Sequence, residues 1–352
     1  MTMQSVMNQP TTPPPSANRQ IISRLQEVLR AEIAQIIGSS GEYALLDFPN
    51  YSNIGDSAIF VGQTILLNAT FGREPSLVTQ NRQKDIEQIA EQKWDGPLIL
   101  TGGGNFGDLY PKHQHFREAV IRRFPDRQII QFPQSIHFRD KANLESTARA
   151  IETHPNFTLM VRDEASLALA KDHFDCDVRL APDMAFMIGS VDQPVAVDQK
   201  VLCLIRQDQE TVFENTGALA RLPQPNMVVD WPKEPRRRTM VHRLPTGVRR
   251  RLPRALQSQR PETPAAYEWL ARRRVRLGLS ILSRGEIVIT DRLHAHILSI
   301  LLGKPHVALD NSYGKIGSFI NAWTQGGAFV QAAGIDEAVE KALLMLGREH
   351  AR

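Results

Sequence analysis

Residues Ile287–His296 read IVITDRLHAH, an apolar and β-branched run that ends abruptly in charged and imidazole side chains. The run at 287–290 is typical of a strand buried on both faces of a parallel sheet. The residues that follow, 294–302, have the composition of a helix. The polar residues that begin at Asp291 therefore lie at a strand-to-helix turn. Such turns lie at the carboxyl edge of the sheet in α/β proteins, where ligands bind. The stretch predicts an α/β fold with Arg292 and His294 beside a ligand.

Short apolar runs and helical patterns alternate along most of the chain. Strands are predicted at 43–48, 76–79, 97–101, 128–132, 158–162, 178–181, 200–206, 286–290 and 306–309. Helices are predicted at 56–69, 85–92, 116–124, 141–153, 164–173, 265–283, 294–302 and 335–346. Alternation of this kind predicts parallel sheets covered by helices. We therefore expect two Rossmann-like βαβ domains that face a cleft, with a hinge near 189–200.

The predicted organisation has four parts. Residues 1–20 are rich in Pro, Thr, Ser and Gln, which indicates a disordered tail without the apolar core of a signal peptide. An N-terminal domain is predicted at 21–190 and a C-terminal domain at 195–352, interrupted by an Arg- and Pro-rich insertion at about 222–263. Only two cysteines are present, too few for a disulfide framework or a cysteine metal site. We expect a cytoplasmic protein.

Basic residues are concentrated in one stretch, although the net charge is only +4. Residues 221–276 contain 15 Lys and Arg but 4 Asp and Glu. Such a stretch suits an anionic partner, either phosphates or an anionic membrane surface. Nucleic acid is not expected as a partner, because only Trp231, Tyr267 and Trp269 accompany the arginines. A solvated surface segment explains the charges equally well.

A glycine cluster reads TGGGNFGD at 101–108, after a predicted strand. Its glycines formally satisfy G-x-G-x-x-G, but no helix follows directly and no acidic residue ends the next strand, so the dinucleotide motif fails. No P-loop lysine is present either. Glycines let the backbone approach a ligand closely, and a tight structural turn is an equally good explanation. The candidate ligand-binding residues here are Gly103, Gly104 and Asn105.

Polar clusters follow other predicted strands. Asn53 and Asp56 stand before a helix, where Asp56 caps the helix or faces a ligand. Gln134 and Ser135 offer hydrogen bonds to a sugar or a phosphate, and the nearby His137 is a weaker candidate than His294. We therefore expect these amides and carboxylates at the same sheet edge as the glycine cluster.

Two further cations end up at predicted sheet edges. Arg162 closes a strand, and capping by Asp163 does not explain it, so we interpret Arg162 as a second anion clamp beside Arg292. Lys315 follows the strand 306–309 and is placed to meet a phosphate, although Asn311 and Gly314 there also suit a plain turn.

The order and spacing of these motifs resemble the polysaccharide pyruvyl transferase family over residues 43–323. The motifs that carry the resemblance are Asn53-Ile54-Gly55-Asp56, Gly102-Gly103-Gly104-Asn105, Arg162-Asp163-x-x-Ser166, Pro182-Asp183, Asp291-Arg292-Leu293-His294-x-His296 and Asn311-x-Tyr313-Gly314-Lys315. The resemblance implies a fold similar to two-domain GT-B glycosyltransferases. It also implies transfer of a pyruvyl group from phosphoenolpyruvate to a sugar, usually as a ketal. The family's phosphoenolpyruvate-binding Arg and its Arg-Leu-His run map onto Arg162 and Arg292-Leu293-His294.

The residue types also suit this chemistry when the resemblance is set aside. Phosphoenolpyruvate carries a phosphate and a carboxylate, for which two arginines are natural clamps. His294 is the best-placed acid for the methylene carbon, while His296, Asp56 and Asp291 remain alternatives for a base. No metal-ligand spacing appears, so neither a metal nor an organic cofactor is expected.

The expected acceptor is a nucleotide-linked or lipid-linked saccharide of exopolysaccharide synthesis. The Arg-rich stretch favours the lipid-linked form and peripheral contact with an anionic membrane at its inner face. Two other functions stay open. A GT-B glycosyltransferase would consume a nucleotide sugar instead of phosphoenolpyruvate, and a carbohydrate-binding protein would consume neither donor.

Overall fold

The computed structural model describes residues 15–38, 41–206, 217–233, 263–310 and 315–349. These form two compact units. The N-terminal unit takes the described parts of Arg24–Gly189 and Trp231–Leu279, and the C-terminal unit takes those of Met1–Ser23, Ser190–Asp230 and Ser280–Arg352. The linear bounds 21–190 and 195–352, the hinge and the cleft stay predictions.

The N-terminal unit is built on a parallel sheet, as expected from its buried apolar runs. Its strand order is β2-β1-β3-β5-β6-β7, and β4 pairs with β5. Every pair of neighbouring strands is parallel. The strands are β1 (Ala44–Leu46), β2 (Leu77–Val78), β3 (Leu98–Leu100), β4 (Gly103–Gly107), β5 (Ile129–His137), β6 (Phe157–Val161) and β7 (Asp177–Leu180).

The helices between these strands are α2 (Ile54–Phe71), α3 (Gln83–Ala90), α4 (Pro111–Arg123), α5 (Lys141–Glu152) and α6 (Glu164–His173). Two longer helices, α1 (Pro15–Ile36) and α7 (Pro264–Ser283), are each divided between the two units. A 3-10 helix covers Met184–Ile188. Side chains of the strands and of α3 to α6 form one apolar core that contains Leu46, Leu100 and Phe106. The α/β architecture with parallel strands is therefore confirmed.

The C-terminal unit contains a second parallel sheet, of order β12-β11-β10-β8-β9. Its strands are β8 (Gln199–Leu204), β9 (Asn226–Val229), β10 (Gly285–Thr290), β11 (His306–Leu309) and β12 (Phe329–Ala332). The helices are α8 (Leu293–Leu301), α9 (Lys315–Phe319) and α10 (Ile335–Glu349), with a 3-10 turn at Gly217–Arg221 and a π-helical turn at Ile320–Thr324. The central strand β10 is the apolar run quoted first.

Two predictions about irregular segments were wrong in part. Residues 15–20 belong to α1 rather than to a disordered tail, because α1 buries an apolar face that includes Leu25, Leu29 and Ile33. The predicted insertion at 222–263 begins with a sheet strand, since β9 pairs with β8 from Asn226 onward. Residues 1–14 and 234–262 of these two predicted segments lie outside the described residues.

The glycine cluster forms a strand rather than the predicted ligand loop or turn. Gly103–Gly107 pairs with the second half of β5. Gly103 and Gly107 have φ values of 142° and 115°, a region that side-chain-bearing residues rarely adopt. The glycines therefore permit an irregular strand at the edge where ligands are expected.

Gly62 of α2 is a test of the packing behind this edge. A Cβ at position 62 would lie 1.8 Å from the carbonyl oxygen of Met184 in the 3-10 helix. We expect Gly62→Ala to destabilise the protein by about 2–3 kcal/mol, since backbone must move to relieve the clash. The measurement is urea unfolding. The matched control is Gly347→Ala in α10, where a Cβ meets nothing within 4 Å and Ala should stabilise the helix by up to about 1 kcal/mol. Equal effects at both positions would contradict the close approach.

Candidate active site

The carboxyl edge of the N-terminal sheet brings predicted residues together. Asn53 caps α2, where its Oδ1 accepts from the backbone N–H of Gly55 at 2.9 Å and its Nδ2 donates to Asp56 Oδ2 at 2.8 Å. Asp56 Oδ1 lies 3.6 Å from the position that a Cβ on Gly103 would occupy. The helix cap and the glycine strand are therefore immediate neighbours.

A network of amides fixes Asn105 beside them. Gln134 Oε1 accepts from the Asn105 backbone N–H at 3.1 Å, and Gln134 Nε2 donates to Asn105 Oδ1 at 3.0 Å. Arg117 Nη2 donates to the same Oδ1 at 2.8 Å. With its Oδ1 held by two donors, Asn105 presents its Nδ2 as a donor on the other side of the amide.

Arg117 is a buried cation that sequence reasoning missed. Besides Asn105, its guanidinium donates to Gln131 Oε1 and Gln114 Oε1, each at 2.6 Å. It lies over the ring of Phe106, 4.5 Å from the centroid. Burial lowers the pKa of Arg117 to about 10, with Asp47 and Glu118 opposing the shift. Its direct hydrogen-bond acceptors are amide oxygens, which carry no charge, while the carboxylates of Asp47 and Glu118 act on it through space.

Arg162 lies at the centre of a second, buried network. Its Nε donates to Ser135 Oγ at 2.9 Å, and its Nη1 donates to Asp183 Oδ2 at 2.5 Å. Ser135 donates in turn to Asp163 Oδ2 at 2.6 Å. A Cβ on Gly104 would lie 3.1 Å from Nη2 of Arg162, so glycine at 104 leaves room for the guanidinium.

Of the predicted site residues, the N-terminal unit thus assembles eight at one sheet edge. They are Asn53, Asp56, Gly103, Gly104, Asn105, Gln134, Ser135 and Arg162.

Asp47 and His113 extend the same edge and were also missed. Asp47 follows β1 with a φ of 64°. His113, in the first turn of α4, places Nδ1 2.8 Å from Asp47 Oδ2 and 3.3 Å from Asn105 Nδ2. The amide of Asn81 also faces this ring, with Nδ2 3.0 Å from Nδ1 and 3.4 Å from Nε2. The Asp47 carboxylate therefore helps to orient an imidazole at this edge.

The C-terminal unit places Arg292 at the end of β10. Its Nε and Nη2 donate to the two carboxylate oxygens of Asp230 at 2.6 and 2.7 Å, a bidentate pair. Leu293 and His294 follow in the first turn of α8, where both are half-buried. Burial raises the pKa of Asp291 to about 6, although its Oδ1 accepts from the Arg206 backbone N–H at 2.9 Å.

His296 lies in the core of the C-terminal unit, which does not favour the predicted catalytic role. It is fully buried, with Nδ1 2.8 Å from His306 Nε2 and Nε2 3.1 Å from Thr324 Oγ1. His306 Nδ1 lies 2.9 Å from the carbonyl oxygen of Lys304, which fixes a chain of neutral imidazoles. Both ring nitrogens of His296 are thus engaged, and we leave it out of the proposed reaction.

This histidine pair predicts acid sensitivity. Burial lowers the pKa of His306 to about 4 and that of His296 well below its usual value. Unfolded imidazoles titrate near pH 6.5, so the unfolded chain binds protons below pH 6.5 that the folded chain excludes. The stability that the neutral histidine pair contributes is therefore complete above pH 6.5. As the pH falls below 6.5, the free energy of unfolding declines by about 1.4 kcal/mol per pH unit for each histidine.

His306→Asn tests that linkage. The variant has one buried histidine fewer, so its free energy of unfolding should fall less on acidification than that of the unmodified protein. The difference in stability between the two proteins should therefore become smaller by about 2 kcal/mol between pH 6.5 and 5. Urea unfolding of both proteins at these two pH values measures the change. A deficit that stays constant with pH would contradict the neutral pair.

The backbone of Lys315 begins α9, but its side chain lies outside the described residues. Asp310 anchors this turn, since its carboxylate accepts from the backbone N–H groups of Ile316 and Gly317, each at 3.2 Å. The phosphate-binding role of Lys315 stays a prediction.

Within the described ranges, no group of three or more His, Cys, Asp or Glu side chains is arranged to hold a metal ion. Among the described helices, none has both the length and the apolar character required to cross a membrane.

Comparison with known proteins identifies a family and relatives that this chain resembles. The profile of the family described as polysaccharide pyruvyl transferase matches residues 53–313. Pyruvyl transferase 1 of Schizosaccharomyces pombe is 33% identical over 322 residues, which cover 86% of this chain and 75% of that protein. A Bacillus subtilis protein provisionally named pyruvyl transferase EpsO is 33% identical over 302 residues, which cover 84% of this chain and 89% of that protein.

A solved structure shares the fold. It is a functionally uncharacterized protein of Klebsiella pneumoniae, 19% identical, with a TM-score of 0.58 over 88% of this chain and 99% of that one. Identity this low supports the α/β fold alone. The family match over most of the sequence and the two relatives show that the chain belongs to the polysaccharide pyruvyl transferase family.

Proposed function

We propose that the protein transfers the pyruvyl group of phosphoenolpyruvate to a sugar of a surface-polysaccharide precursor, as a ketal that bridges two hydroxyls. The observation that supports this most is the buried Arg162 network. Its guanidinium is held by Ser135 and Asp183 at a sheet edge lined by glycines and amides. A fixed cation beside glycine backbone is suited to a small anion that carries a phosphate and a carboxylate.

Arg162, Arg292 and Leu293 are the proposed donor-binding residues, and His294, next to Leu293 in the chain, is the proposed acid. Each arginine is oriented by an aspartate, Asp183 for Arg162 and Asp230 for Arg292. Each carboxylate holds its guanidinium in place before the donor binds, which reduces the entropy lost on binding. Lys315 is the proposed third cation. No metal and no organic cofactor take part in the proposed reaction.

The proposed reaction begins with proton transfer. His294 gives a proton to the methylene carbon of phosphoenolpyruvate, which becomes a methyl group and leaves cationic character at C2. A sugar hydroxyl adds to C2 and loses its proton to a base. The bond from C2 to the phosphate oxygen then breaks, and a second hydroxyl closes the ketal. The products are the ketal and inorganic phosphate, so the two hydroxyl protons balance the one on the methyl group and the one on phosphate.

The amide cluster of the N-terminal unit is the proposed acceptor site. Asn53 and Asn105, which are partly exposed, supply donors and acceptors of the kind that bind sugar hydroxyls. The fully buried Gln134 bonds to Asn105 and to the Thr101 carbonyl oxygen, so its proposed role is to hold Asn105 in place. Asp56 is the base proposed from sequence, and the Asp47–His113 pair is a second candidate, because the carboxylate orients the imidazole beside Asn105. The proposed acceptor is a nucleotide-linked or lipid-linked saccharide on the cytoplasmic side of the membrane.

The deciding experiment is phosphate release from phosphoenolpyruvate by purified protein, with a panel of nucleotide-linked and lipid-linked sugars. Release that depends on an acceptor, together with a ketal in the product, supports the proposal. Consumption of a nucleotide sugar without phosphoenolpyruvate would overturn it in favour of glycosyl transfer.

A further inference from the structure

The outward face of α7 combines exposed apolar and basic side chains. Trp269 is 51% exposed and Leu277 is 48% exposed, and the exposed Arg272, Arg273 and Arg276 lie between them. Trp269 is followed by two adjacent pairs of residues, each pair three or four positions further along, so all five side chains share one face of the helix, an arc of about 140°. We propose that this face, called here the α7 outer face, binds the surface of an anionic phospholipid bilayer.

The opposite side of α7 accounts for the fold without the outer face. Tyr267, Leu270 and Val275 are buried, and the buried Arg274 donates from Nη1 to the carbonyl oxygen of Pro49 at 2.9 Å. At Gly278 a Cβ would lie 2.5 Å from Ile54. Packing therefore accounts for the inner face, while about half of the Trp269 and Leu277 side chains stays exposed on the outer face.

The composition of the outer face matches a bilayer surface. Helices that lie in the membrane interface combine Trp and Leu with arginines whose aliphatic stems reach over the apolar side chains. Here the guanidinium of Arg273 lies over the Trp269 ring, 5.9 Å from the centroid. Trp favours the depth of the lipid headgroups. Nucleic acid fits less well, because one indole offers no series of stacking positions and Leu277 offers no contact to phosphates.

Charge favours an anionic membrane in particular. All of the outer face except Leu277 belongs to the stretch 221–276, in which Lys and Arg outnumber Asp and Glu by 15 to 4. An anionic leaflet attracts such a cluster within about one Debye length. The inference rests on the proposed function for its purpose, since a lipid-linked acceptor would be reached at the membrane. Its physical basis does not depend on the donor.

The test is flotation of the full-length protein with vesicles of phosphatidylcholine, alone or with about 30% phosphatidylglycerol, at low salt. We expect binding to the anionic vesicles only. The variant Arg272→Gln/Arg273→Gln/Arg276→Gln should lower the partition coefficient at least about twentyfold, because each arginine near an anionic surface contributes about fivefold and Glu268 partly screens Arg272.

A matched control removes the same charge elsewhere. Arg122→Gln/Arg123→Gln/Arg149→Gln replaces three exposed arginines of α4 and α5, one of which is also paired with a glutamate. This control should stay within about threefold of the unmodified protein. Equal losses in the two triple variants would overturn the proposal, as would a protein that fails to bind anionic vesicles.

Bromine-labelled lipids give a second readout. They should quench part of the tryptophan fluorescence, and Trp269→Phe should remove that quenching although three other tryptophans remain. Quenching that persists in Trp269→Phe would overturn the placement of the outer face. Phosphate release with a soluble acceptor should be unchanged in both triple variants, so a failure of the membrane proposal is distinguishable from a failure of the proposed reaction.

Discussion

Replacing His294 with glutamine is expected to lower turnover by about 100-fold to 10,000-fold, the range over which a positioned general acid contributes to a reaction. His294 lies in the first turn of α8, next to the carboxyl end of β10. Glutamine has a similar reach and keeps hydrogen-bonding capacity, but its amide cannot deliver a proton to carbon near neutral pH. Affinity for phosphoenolpyruvate should therefore stay within about threefold, because the arginines remain.

The loss should appear in kcat rather than in donor binding. Single-turnover phosphate release measures the chemical step, and titration calorimetry measures the affinity for phosphoenolpyruvate. His173→Gln, at the exposed end of α6, is the matched control and should keep full activity. Unchanged turnover in His294→Gln would remove this residue as the proton donor, and a parallel loss of donor affinity would give it a binding role instead.

Most helices and strands could be predicted from the sequence, because the spacing of their apolar residues matches the face that each one buries. The strand His306–Leu309 and the helix Glu164–His173 have the predicted bounds. β5 was predicted to stop at Phe132, before Pro133, but continues to His137. The strand changes neighbours at this point, from β3 up to Gln131 to β4 from Gln134 onward. Proline is tolerated at such irregularities, and only the tertiary pairing reveals one.

The glycine strand β4 had no sequence signal of its own. Glycine has low β propensity, and β4 forms because the second half of β5 offers it unpaired backbone groups. Its two positive φ values are likewise set by the surrounding sheet. A prediction from local composition therefore favoured a loop.

The missed site residues follow from similar causes. Pro111 at the start of α4 is a helix signal that would have placed His113 in the first turn. Its partner Asp47 depends on a left-handed backbone that no local pattern predicts for an aspartate. For His296, helical geometry alone predicts the buried position, since His296 lies about 200° around the helix from His294. Arg292 and His294 stayed at the sheet edge, and His296 turned into the core.

Removing Arg162 is expected to damage stability and activity for different reasons. In Arg162→Met, Asp183 keeps its bond from the Ala185 backbone N–H at 2.9 Å but loses the guanidinium. Asp183 is 1% exposed, so its charge would be left buried beside an apolar side chain. Breaking a buried ion pair from one side costs about 3–5 kcal/mol, which urea unfolding would show. Activity should fall at least about 100-fold in kcat/KM if Arg162 clamps the donor.

The double variant Arg162→Met/Asp183→Asn separates the two effects. Asparagine retains an oxygen that can accept from Ala185 and carries no charge, so most of the lost stability should return. The anion clamp remains absent, so kcat/KM should stay at least about 100-fold low. Recovery of both stability and activity would make Arg162 a structural residue only. If the buried guanidinium of Arg162 binds the donor, we expect stability to recover while the affinity for phosphoenolpyruvate stays low.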